Sequence, residues 1–302
     1  MKRETLALAL PLDAQGRRPP VPPVSIRSAS RQGDAVLACA VGCDLTEVAP
    51  FVRSLRTVFS GQVILLVDRK PMLPAWLSTH GVETVVIAND RRPWRPRPAA
   101  SRFVAFARIL QQRRDIRSVI LADVREVVFQ SDPFHRAPAD LHFYSGFAGP
   151  ALDPRAAEAI VGGPLARQLS ERPPIHAGVV AGSRAGVERF CRAFLLLCDT
   201  ARHGAMSGMD QTACQLVAHL GLAGGQVRPD FERVATASER MTVADGRFWN
   251  PDRSLSPIIL GYRHSPTLAD YIDHRWGLST KRLPSGTALT RTRAFLQRLA
   301  GG

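Results

Sequence analysis

Short apolar runs alternate with amphipathic segments along the first half of the chain. Three of these runs are continuous, as is typical of strands buried on both faces, and they lie at 35–41, 61–68 and 82–87. An amphipathic helix is predicted at 44–59, with Asp44 or Thr46 as its N-cap, and a shorter helix ends at Gly81. The alternation predicts an α/β fold with a mostly parallel sheet covered by helices.

A fourth apolar run ends in charged residues. It follows a Pro-rich loop and an amphipathic helix at 101–114, for which Ser101 is the predicted N-cap. The run reads SVILADVRE and places Asp123, Arg125 and Glu126 at its carboxyl end. Ligands bind at that end of the strands in open α/β sheets. The acids therefore predict either a ligand site or an ion-paired strand end.

The second half has a less regular pattern. PPIHAGVVAGS, at 173–183, is a predicted strand that carries His176 and Gly178, and a long helix follows at 185–204. A further helix is predicted to carry Asp210 and Gln211 in its first turn. Additional strands are predicted at 141–149 and 256–266, with a helix at 154–162.

The charge of the chain is strongly positive. The 302 residues are 45% hydrophobic, enough for a sizeable core, and carry a formal net charge of +14. Lysine occurs only at Lys2, Lys70 and Lys281, so the excess is arginine, which reflects either genome base composition or a partner with phosphates. Candidate partners are a nucleotide-sugar, an anionic membrane surface or nucleic acid. The arginines are scattered and no nucleic-acid-binding motif is present, so we do not expect nucleic acid.

The cysteines and the lengths of the apolar runs indicate the cellular compartment of the protein. The cysteines show no metal-ligand spacing, and their odd number without a secretory signal indicates free thiols: Cys39, Cys43, Cys191, Cys198 and Cys214. No apolar stretch approaches the roughly 20 residues that span a bilayer. We expect a cytoplasmic protein, with peripheral contact to an anionic membrane as an open alternative.

Taken in order, the segments resemble the nucleotide-sugar-dependent glycosyltransferases of the GT-A fold. The chain is most similar to members with a DVRDVVFQ-DPF-like variant of the DxD motif, here DVREVVFQSDPF. The likeness covers most of 34–275 and includes AVLACAV…PFVRSLR, SRFVAF, IHAGVVAGS and GMDQTACQ. It implies one domain at 34–285, with a nucleotide-binding half at 34–135 and an acceptor half at 136–285. Residues 1–33 are predicted to be a disordered basic arm, and 286–302 a short basic helix.

The resemblance implies a set of site residues. Asp123 and Glu126 would hold Mn²⁺ or Mg²⁺, hard cations that prefer carboxylate oxygens. Asp210 and Gln211 would act on the transferred sugar or the acceptor, with Asp210 the best candidate for a general base. The donor would contact Ala40, Arg102, Asp123, Arg125, His176 and Gly178. The simpler alternatives are a capping role for Asp210, a core role for His176 and a solvated Arg102.

The sequence departs from the family pattern at two metal positions. Glu126 stands where Asp is usual, and Leu260, in ILGYRHSP, stands where a metal-binding His is expected. His264 could replace that His only if the local register shifts. Metal dependence is therefore open, and Arg125 or Arg263 could supply positive charge instead.

The implied activity is transfer of a hexose from a nucleotide-sugar, by default a UDP-sugar, to an acceptor hydroxyl. The acceptor would be a saccharide, a lipid-linked molecule or a small molecule, and the pattern favours neither retention nor inversion of the anomeric centre. One alternative is a non-catalytic nucleotide-sugar or polyanion-binding protein of the same fold. The other is a basic nucleic-acid-binding protein, which would bind arbitrary DNA in a strongly salt-dependent way.

Overall fold

A computed structural model describes eight ranges of the chain. The predicted arm, apart from its last two residues, and the predicted C-terminal helix lie outside them. The ranges are 32–69, 72–87, 98–135, 139–146, 152–200, 209–229, 231–238 and 240–278.

The strands of the described residues form two sheets and a hairpin. They are β1 (Asp34–Cys39), β2 (Gln62–Val67), β3 (Glu83–Val86), β4 (Ser118–Ala122), β5 (Val127–Phe129), β6 (His142–Ser145), β7 (Ile175–Ser183), β8 (Gln226–Arg228), β9 (Val234–Thr236), β10 (Thr242–Ala244), β11 (Arg247–Trp249) and β12 (Ile258–Leu260).

In the described part of the chain, eight α-helices cover these strands or connect them. They are α1 (Leu45–Val58), α2 (Met72–Thr79), α3 (Pro98–Gln112), α4 (Pro154–Val161), α5 (Gly163–Ser170), α6 (Arg184–Thr200), α7 (Met209–His219) and α8 (Pro266–Trp276). None of the described helices is both long and apolar enough to cross a membrane.

The central sheet is mixed and mostly parallel. Its strand order is β3-β2-β1-β4-β7-β6-β8, and only β7 runs against the others. The chain winds outward from β1 to β3 and then crosses back to place β4 on the other side of β1. The predicted β-α-β-α-β series and the predicted sheet are therefore confirmed. In open α/β sheets such a reversal leaves a crevice at the carboxyl ends of the two strands involved, here β1 and β4.

Alternating residues of the buried strands face two separate helical layers. On β1, Val36 and Ala38 pack under α1 and α2, whereas Ala35 and Leu37 pack toward α3, α6 and α7. A strand covered on both faces needs apolar residues at every position, which explains why β1 appears in the sequence as an unbroken run.

A smaller sheet lies beside the first and was missed in the sequence. Its order is β5-β12-β9, and α8 and the β10–β11 hairpin share a third core with it. The strand predicted at 256–266 is only Ile258–Leu260, followed by a 3₁₀ turn at Tyr262–His264. Strands of three residues are too short to show a period, so only the apolar run around β12 was visible.

Two N-cap predictions have different outcomes. Asp44 caps α1 in a capping box, since its side chain accepts from the Glu47 N–H while Glu47 accepts from the Asp44 N–H. Thr46 instead donates its hydroxyl to Asp44. Ser101 as the N-cap of α3 is wrong, because that helix already begins at Pro98. Proline is common in the first turn of a helix, where its missing N–H would have no helical partner.

The cap of α1 can be tested by mutation. Asp44→Ala should lower the free energy of unfolding by about 1 kcal/mol, because it removes the acceptor for the first turn. Asp44→Asn, which keeps a side-chain acceptor, should cost only a fraction of that. Urea unfolding of the two variants measures the difference. Equal losses in both would contradict the assigned capping role.

Candidate functional site

Asp123 lies at the crevice between β1 and β4, directly after the last residue of β4. Its backbone N–H donates to the carbonyl of Gly178 at 2.8 Å, which fastens it to β7. Its Oδ1 accepts from the N–H of Arg125 at 2.9 Å, which closes the turn. Its carboxylate is thereby held at the carboxyl end of the sheet, with its side chain 31% exposed.

Arg102 brings Asp123 and Asp210 together. It lies in the second turn of α3, and its Nη2 is 3.2 Å from Oδ2 of Asp210 while its Nη1 is 3.7 Å from Oδ2 of Asp123. Its side chain is only 17% exposed, and its Nε is buried without a hydrogen-bond partner among the described residues. Three residues that the sequence predicted from separate segments thus form one ion-paired cluster.

A small cavity opens between Arg102 and Asp123. Its volume of about 20 Å³ is room for one water molecule. The remaining walls are mostly apolar, and burial raises the pKa of the Cys39 thiol among them. The lining residues other than Arg102 and Asp123 are Cys39, Phe103, Phe106, Leu121, Ala122, Ala177 and Val180.

Ala40, a predicted donor contact, does not line this cavity. Its side chain is fully buried in the core under α1, and its N–H donates to Leu66 of β2. Because side chains alternate along a strand, Cys39 faces the cavity side instead. The sequence could not show which of the two faces the site before the helical layers were known.

Glu126 lies next to His264. Oε1 of Glu126 is 3.6 Å from Nε2 of His264, and burial, together with the nearby charge of Asp123, raises the pKa of the Glu126 carboxyl. β12 runs antiparallel to β5, with Leu260 opposite Val127, so residues after Leu260 lie beside residues before Val127. His264 thus comes to Glu126 through the 3₁₀ turn, and no shift of register is needed.

Arg125 braces the loop after β1. Its Nε is 3.0 Å from Oε1 of Glu47, and its Nη2 donates to the carbonyl of Gly42 at 3.3 Å. Arg263 donates to the carbonyl of Arg125 at 2.8 Å and lies 3.9 Å from Asp273. The role of Glu47 was missed, although DLTE carries the Asp-x-x-Glu spacing of a capping box.

His176 is held as a neutral ring. Its Nε2 lies 3.2 Å from Oγ1 of Thr236, and burial, with a smaller effect of His264, lowers its pKa to about 4. Thr236 is at the end of β9, a strand that the sequence pattern did not reveal. A neutral imidazole agrees with the simpler core alternative for this residue.

Gln211 contacts the backbone of β7. Its Nε2 donates to the carbonyl of Ile175, and its Oε1 accepts from the N–H of Ala177 at 2.9 Å. The amide therefore binds the residues before and after His176 in the chain. The neighbouring Asp210 instead points to Arg102. The two members of the predicted catalytic pair face different partners.

The expected open space beside Gly178 is filled by Leu260. A Cβ added at position 178 would lie 2.5 Å from Cδ1 of Leu260, and Leu260 is fully buried in β12. The reason for glycine at this position is therefore close packing of β7 against the small sheet. The predicted donor contact at Gly178 is not needed to explain the glycine.

The predicted metal ligands have separate partners. Asp123 faces Arg102, and Glu126 faces His264. Within the described ranges, no group of three or more His, Cys, Asp or Glu side chains is placed to hold a metal ion. The two carboxylates are oxygen ligands of the kind that Mn²⁺ and Mg²⁺ prefer.

Most of the excess of positive over negative charge belongs to residues outside the described ranges. Of the 40 Lys and Arg residues 18 fall there, against 5 of the 26 Asp and Glu residues. The described residues are nearly balanced, with 22 basic and 21 acidic side chains. The net charge of +14 is thus far larger than the net charge of the described residues.

No known protein family matches the chain in a family scan, and no curated protein is similar enough to count as a relative.

Gly178→Ala tests the packing against Leu260. The added methyl should lower the free energy of unfolding by about 1–3 kcal/mol through overpacking. Gly178→Ala combined with Leu260→Ala should lose less than the sum of the two single losses, since the shortened side chain makes room. Denaturant unfolding of the four proteins measures this coupling. Additive losses would show that the two positions are not in contact.

His176 should make folding stability depend on pH. Because its pKa in the fold is about 4 against 6.5 for the free side chain, the unfolded chain binds its proton first as the pH falls. The contribution is complete above pH 6.5 and is lost between pH 6.5 and 4, by about 3 kcal/mol at most. His176→Asn should flatten this part of the profile. An unchanged slope in that variant would contradict the burial assigned to the ring.

Proposed function

We propose that the chain is a glycosyltransferase that moves a hexose from a nucleotide-sugar, by default a UDP-sugar, to an acceptor hydroxyl. The observation that carries the proposal is the Arg102–Asp123–Asp210 cluster at the carboxyl end of β4. The cluster lies where the winding of the sheet reverses, the usual position of a ligand crevice in such sheets. The motif order that resembles GT-A enzymes supports the same proposal.

Arg102 would bind the diphosphate of the donor. Its Nη1 and Nη2 each lie beside one carboxylate, and its Nε has no hydrogen-bond partner among the described residues. A diphosphate presents the paired oxygens that a guanidinium binds best, and its charge grows as the sugar departs. Fixed positive charge at that place stabilises the leaving group.

Asp123 and Glu126 would hold a divalent cation if one is used. Such a cation, when bound, supplies positive charge to both phosphates of the leaving group. The chain's own contribution is the placement of Asp123, whose N–H is fixed to Gly178 and whose Oδ1 is fixed to the Arg125 N–H. Asp210 would orient the acceptor hydroxyl and accept its proton.

A second candidate is a binding protein of the same architecture without catalysis. It is favoured by Leu260, which occupies the expected position of a metal-binding His and packs on Gly178. A binding protein would show affinity for the donor without turnover.

Asp123→Ala is the decisive variant. It should abolish the thermal stabilisation by UDP-glucose, measured with and without MnCl₂, and lower donor hydrolysis or transfer by at least about 100-fold. Asp115→Ala is the matched control, because Asp115 pairs with Arg113 at the opposite end of β4 and lies away from the site.

The proposal fails if folded Asp123→Ala binds and turns over the donor as the wild type does. It also fails if no UDP-hexose stabilises the wild type. Stabilisation that depends on Asp123 without any turnover would instead select the binding protein.

A further inference from the structure

Among the described residues, part of β7 close to the site has no paired strand. Its ladder with β6 passes from Val180, opposite Phe143, directly to His176, opposite Tyr144. Residues 177–179 of β7 therefore bulge relative to β6, and β4 has already ended opposite Val179. Backbone groups that leave a ladder inside a protein need other partners, because an unpaired buried group costs about 1–3 kcal/mol.

Side-chain amides of α7 bind this part of β7, at Ile175, which still pairs with Ser145 of β6, and at Ala177 in the bulge. Gln211 binds the carbonyl of Ile175 and the N–H of Ala177, and Gln215, one turn later, accepts from the N–H of Ile175 at 3.3 Å. An amide carries one acceptor and one donor side, as a peptide unit does, so it can replace a neighbouring strand over two residues. The two glutamines share one face of α7.

The segment that Gln211 holds leads directly to Asp123. Ala177 lines the cavity beside Arg102, and the carbonyl of the next residue, Gly178, accepts from the N–H of Asp123 at 2.8 Å. The neighbouring Asp210 binds Arg102 on the other side of the cavity. The first turn of α7 thus contacts the strand that fixes Asp123 and the helix that carries Arg102.

We propose that Gln211 is a positioning residue that binds the backbone of Ile175 and Ala177, beyond the point where the ladder with β4 ends, and so holds Asp123 opposite Arg102. Its amide is used by the backbone of β7, and its effect on a ligand is transmitted through Asp123. The consequence for donor binding rests on the proposed function. The role of Gln211 in holding Asp123 does not depend on that function.

Hydrogen exchange tests the structural part without any ligand. Gln211→Met keeps the length of the side chain and removes its hydrogen bonds, so the N–H groups of Ala177 and Asp123 should exchange at least about 10-fold faster. Gln211→Glu, which keeps an acceptor for the Ala177 N–H, should raise the exchange of that group less. If Gln211→Met does not fold, the exchange rates of the Ala177 and Asp123 N–H groups in Gln211→Glu test the proposal instead.

Gln130 offers a matched control. Its amide donates to the carbonyls of Phe248 and Ser256 and accepts from the Phe248 N–H, at 2.7 to 2.9 Å, at the far end of β5. Gln130→Met removes a comparable set of bonds and should destabilise the fold to a similar extent. It should leave the exchange of Ala177 and Asp123 unchanged.

Two results would overturn the proposal. The first is wild-type exchange of both N–H groups in folded Gln211→Met. The second is faster exchange of the Ala177 N–H with unchanged exchange of the Asp123 N–H, because the amide would then hold β7 but not Asp123.

A double-mutant cycle tests the effect on the donor. Gln211→Met should weaken the binding of UDP-glucose at least about 5-fold in the wild-type background and clearly less in the milder variant Asp123→Asn, which lacks the carboxylate charge, because its action passes through Asp123. An equal loss in both backgrounds would indicate direct contact with the donor and overturn the proposal. If UDP-hexoses do not bind the wild type, the proposed function fails, and hydrogen exchange alone decides the role of Gln211.

Discussion

The candidate site depends on one partly buried cation between two carboxylates. Arg102 is largely removed from water, and a charge in that position is stable only with charged or hydrogen-bonding partners. Asp123 and Asp210 supply them from different elements, so the ion pairs tie β4 and α7 to α3. Phe103, the next residue of α3, packs between Phe190 and Phe194 of α6, which fixes the helix that carries the arginine. Loss of Arg102 would leave two neighbouring carboxylates without their common counter-ion.

Antiparallel pairing brings the distant parts of the chain to this point. β7 runs against β4 and brings the carbonyl of Gly178 to the N–H of Asp123. β12 runs against β5 and brings His264 to Glu126. In a sheet made only of parallel strands, residues that follow a strand meet residues that follow its neighbour. In this fold the reversed strands β7 and β12 also bring residues from distant parts of the chain to the ends of β4 and β5. For this reason the site combines segments more than 50 residues apart.

The sequence predicted the parts of the fold that depend on long apolar patterns. Buried strands such as β1 and β4 and amphipathic helices such as α1 are recognisable because every residue, or one residue per turn, must be apolar. It also predicted that Asp123 lies at the carboxyl end of β4, since position along a strand follows from the chain itself. The contacts of Gln211 with Ile175 and of Leu260 with Gly178 could not be predicted, because they depend on the bulge in β7 and on three-residue strands without a visible period. The contact between Asp210 and Arg102 could be predicted only in part. Each residue was predicted to lie in the first part of a helix, but only the packing of α3 and α7 makes them partners.

The near balance of charge within the described residues has a practical meaning for work in solution. Retention on an ion exchanger, the isoelectric point and non-specific adsorption to polyanions are set by net charge, and most of the excess belongs to segments outside the described ranges. The response of these properties to added salt therefore reports on those segments. The Arg102 cluster, being partly shielded from solvent, is governed by local geometry, and its chemistry has to be followed by probes that sense individual groups.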